Sequence, residues 1–243
     1  MWRDVRSPRV IARAVLDLLL LELRVITGNR LMLLVLGQLA WLAGLAIWQH
    51  FRDEPWNPVS FYNRTVLMPS LLPAIALGMN AVMGERDNRH LEMTFASPGG
   101  RYQAWAFRLC ALAMLGLMSC TLLAFGTWAV TGQGFPPVQA ALHALVPVLF
   151  VTSLAVCLSL LFNGAASGGL VVAALAILSG TILHHVEPAR RFDLFLNPFD
   201  PPASLDALAW FRIVVANRCI LLVGTGLATW GALDLLQRRE RLT

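Results

Sequence analysis

The chain reads as an all-α integral membrane protein, and three observations carry that reading. Of 243 residues, 57% are hydrophobic and only 14% charged, with a mean hydropathy of +0.64; a soluble domain carries about 25% charged residues. The apolar residues fall in long runs that, at about 1.5 Å per helical residue, suffice to cross a hydrocarbon core of about 30 Å. The ionisable residues are gathered between those runs. Together these predict one transmembrane domain over 1–243 with six transmembrane helices, at about 31–48, 65–83, 109–130, 138–162, 169–184 and 217–236. An amphipathic interfacial helix over 1–30 precedes them, and a short helix is expected between the second and third spans.

The first 30 residues place Arg6, Arg9, Arg13, Asp17 and Arg24 along one polar stripe, with Val10, Ile11, Ala14, Val15, Leu18 and Leu19 on the opposite face. Such a helix lies in the headgroup layer with its basic face toward anionic lipid. It is expected to be retained, since no small-residue cleavage site follows. As a transmembrane span it would place Asp17, Glu22 and Arg24 in hydrocarbon, at about 2.5–3.5 kcal/mol each at mid-bilayer.

The first span, 31–48, carries Trp41 and Trp48 as interfacial anchors. Residues 49–63 are polar and connect it to the second, 65–83, in which Pro69 and Pro73 are expected to bend the helix because each removes a hydrogen bond. A glycine- and proline-rich turn at 131–137 separates the third span from the fourth, and a short turn at 163–168 separates the fourth from the fifth. The segment 185–210 holds Pro188, Pro198, Pro201 and Pro202 among apolar Phe192, Leu194, Phe195, Leu196 and Phe199, so it is expected to dip into the interface.

All 19 basic residues are arginines. The N-terminal segment holds six, the stretch 84–108 four and the C-terminal tail three, against six on the other side (Arg52, Arg64, Arg190, Arg191, Arg212 and Arg218). Basic residues accumulate on the cytoplasmic side, so both termini and residues 84–108 are expected there. The net charge of +5 is accordingly topological, and no nucleic-acid partner is expected.

The absence of lysine removes a reaction class. A P-loop needs a lysine that reaches the terminal phosphates, so any ATP that drives this chain is bound by another polypeptide. The predicted spans hold almost no ionisable residue, which argues against ion-coupled transport, where something must bind and release the ion. Gln38, Asn80 and His143 are polar exceptions expected to bond between helices. Cys110, Cys120, Cys157 and Cys219 lack metal or disulfide spacing. His184, His185 and Glu187 form a weak metal candidate, since adjacent histidines point about 100° apart on a helix. No metal site, catalytic residue or nucleophile motif is expected on this chain.

The charged stretch is longer than a connection requires. Residues 85–96 can form a short helix with Leu91 and Phe95 on one face and Glu85, Arg86, Asp87 and Arg89 toward water or a partner, ended by Ser97, Pro98, Gly99 and Gly100. The run GERDNRHLEMTFASPGGRYQAWAFRL, at Glu85, Arg86, Leu91, Glu92, Ser97, Pro98 and Arg101, resembles the cytoplasmic signature of the ABC-2 family of ABC-transporter membrane subunits. The likeness extends to the interfacial helix, the six spans, the long loop before the last span and the Asn197-Pro198-Phe199 and Asn217-Arg218 elements that flank it. Arg89-His90 departs from the Gly-Thr or Gly-Ser common before the Leu-Glu pair in that family.

The resemblance implies an exporter permease of a bacterial-type inner membrane, itself no enzyme. Glu85, Arg86, Leu91, Glu92, Phe95, Pro98 and Arg101 would form a coupling helix against a cytoplasmic ATPase present in two copies, with Arg9, Arg13 and Asp17 on the neighbouring interfacial helix. ATP and Mg would sit on that ATPase and no cofactor on this chain. A second membrane subunit, as homodimer or heterodimer, would complete the path, with an accessory extracytoplasmic protein as a further partner. The charge-poor interior suits an amphipathic or hydrophobic substrate. The alternative from another class is an ATP-independent scaffold or a lipid-acting membrane enzyme.

Overall fold

The computed structural model describes residues 8–28, 31–51, 61–87, 100–131, 135–183 and 187–240. Among the described residues the regular elements are helices: α1 (Pro8–Thr27), α2 (Leu31–His50), α3 (Met68–Asp87), α4 (Gly100–Thr131), α5 (Pro137–Leu161), α6 (Ala165–Leu178) and α7 (Ala207–Glu240). Wider π-helical turns run into α3 over Asn63–Leu67 and extend α6 over Ser179–Leu183, and a 3₁₀ turn covers Glu187–Phe192. Four helical stretches are long and apolar enough to cross a membrane: Leu31–His50, Trp105–Thr131, Pro137–Leu161 and Ala207–Leu236. The chain is therefore an all-helical protein of membrane character.

α5 is the hub. It packs against α3, α4, α6 and α7, and 56% of its most apolar 18-residue stretch is buried, against 11% for peripheral α2. Its buried positions are mostly small or β-branched: Ala140, Ala144, Val148, Val151, Thr152, Ala155 and Ser159. Lipid is as apolar as leucine, so helices gain little by hiding large side chains and associate instead through close backbone approach. Gly78 of α3 shows this directly: a Cβ there would lie 2.7 Å from the Thr152 carbonyl oxygen of α5. Large side chains accordingly face outward, among them Met32, Leu33, Leu170, Ile177, Val223, Leu227 and Trp230.

Two buried apolar clusters divide the bundle along its length. One joins Leu42, Leu45, Tyr62, Leu71, Cys120, Leu123, Ala144, Val172, Leu194 and Leu221, and the other joins Ile26, Ala81, Trp105, Leu112, Val156, Leu160 and Leu236. α3 and α5 run from the first cluster to the second, as does α7, and α4 runs from the second to the first.

Several boundaries differ from expectation, each for a local reason. The bend at the start of α3 is a π-turn just ahead of Pro69, where Met68 N–H reaches the Asn63 carbonyl; Pro69 has no N–H for the Thr65 carbonyl and its ring would crowd that group. The turn expected at 163–168 is shorter, because Asn163 adopts a left-handed φ of 57° and α6 starts at Ala165. α7 starts about three helical turns before 217, at Ala207, where Asp206 Oδ1 accepts the Ala209 N–H at 2.7 Å as an N-cap. Glu85 and Arg86 continue α3 rather than opening a separate helix, and Gly100 begins α4.

Candidate functional site

Sequence reasoning places the functional end at residues 84–108. Arg9 lies in the first turn of α1, Glu85 and Arg86 in the last turn of α3, and Arg101 in the first turn of α4. Arg13 and Asp17 are exposed on α1. Leu91, Glu92, Phe95 and Pro98 lie outside the described residues, as do His184 and His185.

What joins these elements is a pair that the sequence reading left apart. Arg108, counted above among the cytoplasmic arginines, is 3% exposed. Its Nε donates to Glu22 Oε2 of α1 at 3.1 Å, one Nη donates to the Ala81 carbonyl of α3 at 3.2 Å, and the guanidinium lies 5.2 Å from the Trp105 ring centroid. One side chain thus ties α1, α3 and α4 at a single level. Removing one partner of such a buried pair costs about 3–5 kcal/mol, because the other is stranded. Below it, Ile26 and Leu23 of α1 pack against Ala81, Leu112 and Leu115. The rest of α1 leaves Leu16, Leu20, Leu21 and Val25 exposed, as a helix lying on a membrane surface would.

The opposite end carries a second polar cluster. The segment 193–199 enters the bundle, with Asp193, Leu194, Phe195, Leu196 and Asn197 buried, so its backbone groups need partners inside. Asn217, fully buried on α7, donates through Nδ2 to the carbonyls of Arg191 at 3.1 Å and Asp193 at 2.8 Å. Its Oδ1 accepts from Arg218 Nη1 at 2.8 Å, and Arg218 Nη2 donates to the Leu196 carbonyl at 3.1 Å. Asn63 serves the Phe195 carbonyl and Trp210 Nε1 the Pro198 carbonyl. From α6, Ser179 donates to Asp193 Oδ1 at 3.3 Å while accepting the Leu194 N–H at 2.8 Å. Asn197-Pro198-Phe199 and Asn217-Arg218, separate in sequence, are therefore two sides of one latch.

Phe199 completes an aromatic cluster with Tyr62, Phe135 and His143, at centroid separations of 5.3, 5.6 and 5.8 Å respectively. Burial pushes the Tyr62 phenol well above its ordinary range, so it stays a neutral hydroxyl. Beside this cluster a groove of ≈ 670 Å³ runs between α5 and α7, bounded by His143, Phe199, Trp210, Phe211, Val215 and Arg218.

The three polar residues expected to link helices behave differently. Gln38 Nε2 does bond across to Ser119 Oγ of α4. Asn80 instead turns back to the Ala76 carbonyl of its own helix at 2.8 Å, and His143 faces Phe199 in the groove. A signal for the latch was present, since an asparagine and an arginine stand adjacent within an apolar helix; hydropathy reads them as a boundary rather than as buried donors. The chain matches no protein-family model, no curated protein and no solved structure.

Proposed function

We propose that the chain is the membrane-spanning permease subunit of an ABC transporter of the ABC-2 type, an exporter of amphipathic or hydrophobic substrates in a bacterial-type inner membrane. In this reading α2 to α7 are six spans, both termini are cytoplasmic, and residues 84–108 meet a separate ATPase subunit that holds ATP and Mg. Two membrane subunits enclose the path.

The observation that carries the reading is the mechanical continuity below the charged stretch. α4 runs unbroken for 32 residues from Gly100, so a push near Arg101 is delivered along its axis. Arg108, within the same helix, transfers that displacement to α1 through Glu22 and to α3 through the Ala81 carbonyl. A packed interface with an ion pair moves as a unit or breaks to a second arrangement, which is what converts small cytoplasmic displacements into a change of access.

The test is co-expression with any ATPase subunit encoded among its genomic neighbours, followed by purification and ATPase and transport assays in vesicles. Phe95→Asp and Leu91→Asp are expected to leave the membrane fold intact while hydrolysis no longer drives transport. A chain that retains no ATPase, and is indifferent to both substitutions, is not a permease of this type.

A further inference from the structure

Arg218 is one of the two buried arginines among the described residues. It lies eleven positions after Ala207, about 16 Å along α7 by helical rise, and is only 7% exposed. A cation held in an apolar helix is costly, and where it lines a cavity it marks a ligand or ion path by default. The latch accounts for two of its terminal nitrogens, through Asn217 Oδ1 and the Leu196 carbonyl, and both acceptors are neutral. Its Nε is buried without a hydrogen-bond partner, so the guanidinium, with five N–H donors, keeps donor capacity that the fold does not use. Among the described residues Arg218 is the one arginine lining the groove, which suits the site to a single anionic group rather than to a polyanion.

The surroundings define the rest of the ligand. Gln139 and His143 of α5 add hydrogen-bonding groups near Arg218, while Phe199, Phe211, Val214, Val215 and Leu222 supply an apolar wall. The volume, ≈ 670 Å³, lies within the roughly 300–1,000 Å³ of ligand pockets. Phe211, Val215 and Leu222 are 63%, 43% and 49% exposed, so the groove opens sideways on a face of membrane character and is reached from the bilayer.

We propose that the groove between α5 and α7 binds a membrane amphiphile bearing one anionic headgroup, with Arg218 donating to the headgroup and Phe199, Phe211 and Val215 lining its hydrocarbon. This deepens the transporter reading, on which it rests for calling the ligand cargo; the binding itself needs no ATPase.

The experiment titrates the purified chain in detergent, without ATPase, with phosphatidylglycerol and with phosphatidylcholine of matched acyl chains, counting bound lipid by native mass spectrometry. The anionic lipid is expected to bind about tenfold more tightly, the scale of one charge-assisted hydrogen-bonded contact. Arg218→Gln should abolish the preference. Because that change also loosens the latch, Val215→Trp fills the groove mouth without touching it and should weaken both lipids. Inorganic phosphate should not displace the lipid. The proposal is overturned if the preference survives Arg218→Gln, if Val215→Trp binds as the wild type does or alters only the oligomeric state, or if inorganic phosphate alone competes. Lipid preference retained without ATPase co-purification rejects the transporter reading only; the reverse result rejects this site only.

Discussion

Arg108 and Arg218 are the buried cations among the described residues, and each is held by different chemistry. Arg108 has a carboxylate, so Arg108→Leu strands Glu22 and is expected to cost about 3–5 kcal/mol in detergent unfolding, while Arg108→Leu with Glu22→Leu should recover most of that loss. A double variant no more stable than the single one would show that the pair is not what holds α1. Asn217→Leu keeps the volume but removes the donor to the buried Asp193 carbonyl and the part-buried Arg191 carbonyl, for a loss of roughly 2–3 kcal/mol. Trypsin should then cut faster after Arg190 and Arg191, since the segment they lead into is no longer fastened; unchanged cutting would place the fastening elsewhere. None of this was readable residue by residue. Charge is visible in a sequence, but whether an arginine is solvated or paired depends on what the fold brings to it, and Glu22 is 86 positions from Arg108.

For helices, legibility followed hydropathy. The fourth span, expected at 138–162, and α5 at Pro137–Leu161 agree within a residue because no charged residue interrupts the run. The last span was expected to start at 217, whereas the helix start is set by an N-cap at Asp206. What hydropathy cannot show is which face touches which helix, and glycine substitution reads that out. Gly78→Leu would drive a side chain into the Thr152 carbonyl and is expected to cost more than about 3 kcal/mol or block assembly. Gly226→Ala, where nothing lies within 4 Å of the added Cβ, should be neutral or stabilise by up to about 1 kcal/mol. Equal effects at the two positions, by thermal unfolding, would rule out the α3–α5 contact as the close one.

At the scale of the molecule, the question is how many of the helices cross the bilayer. α2, α4, α5 and α7 contain stretches that qualify by length and composition, so α3 and α6 decide the number. α6 with its π-turn spans Ala165–Leu183, about 28 Å by helical rise, close to the hydrocarbon thickness of about 30 Å. At one end Gly168 abuts Ser159 near the end of α5, and at the other Ser179 bonds Asp193 of the latch. α3 likewise connects the two apolar clusters, with Leu71 in one and Ala81 in the other. If both cross, single cysteines at Phe51 and Ser204, placed in a background with the four native cysteines replaced, should react with an impermeant maleimide on intact cells. A cysteine at Phe162 should react only after permeabilisation. Should α6 lie on one side, Phe162 and Ser204 would label alike; should α3 do so, Phe51 and Phe162 would. Six crossings therefore give one labelling pattern and each four- or five-span arrangement a different one. The pattern also determines whether the Arg108 end and residues 84–108 face the cytoplasm, where an ATPase would have to reach them.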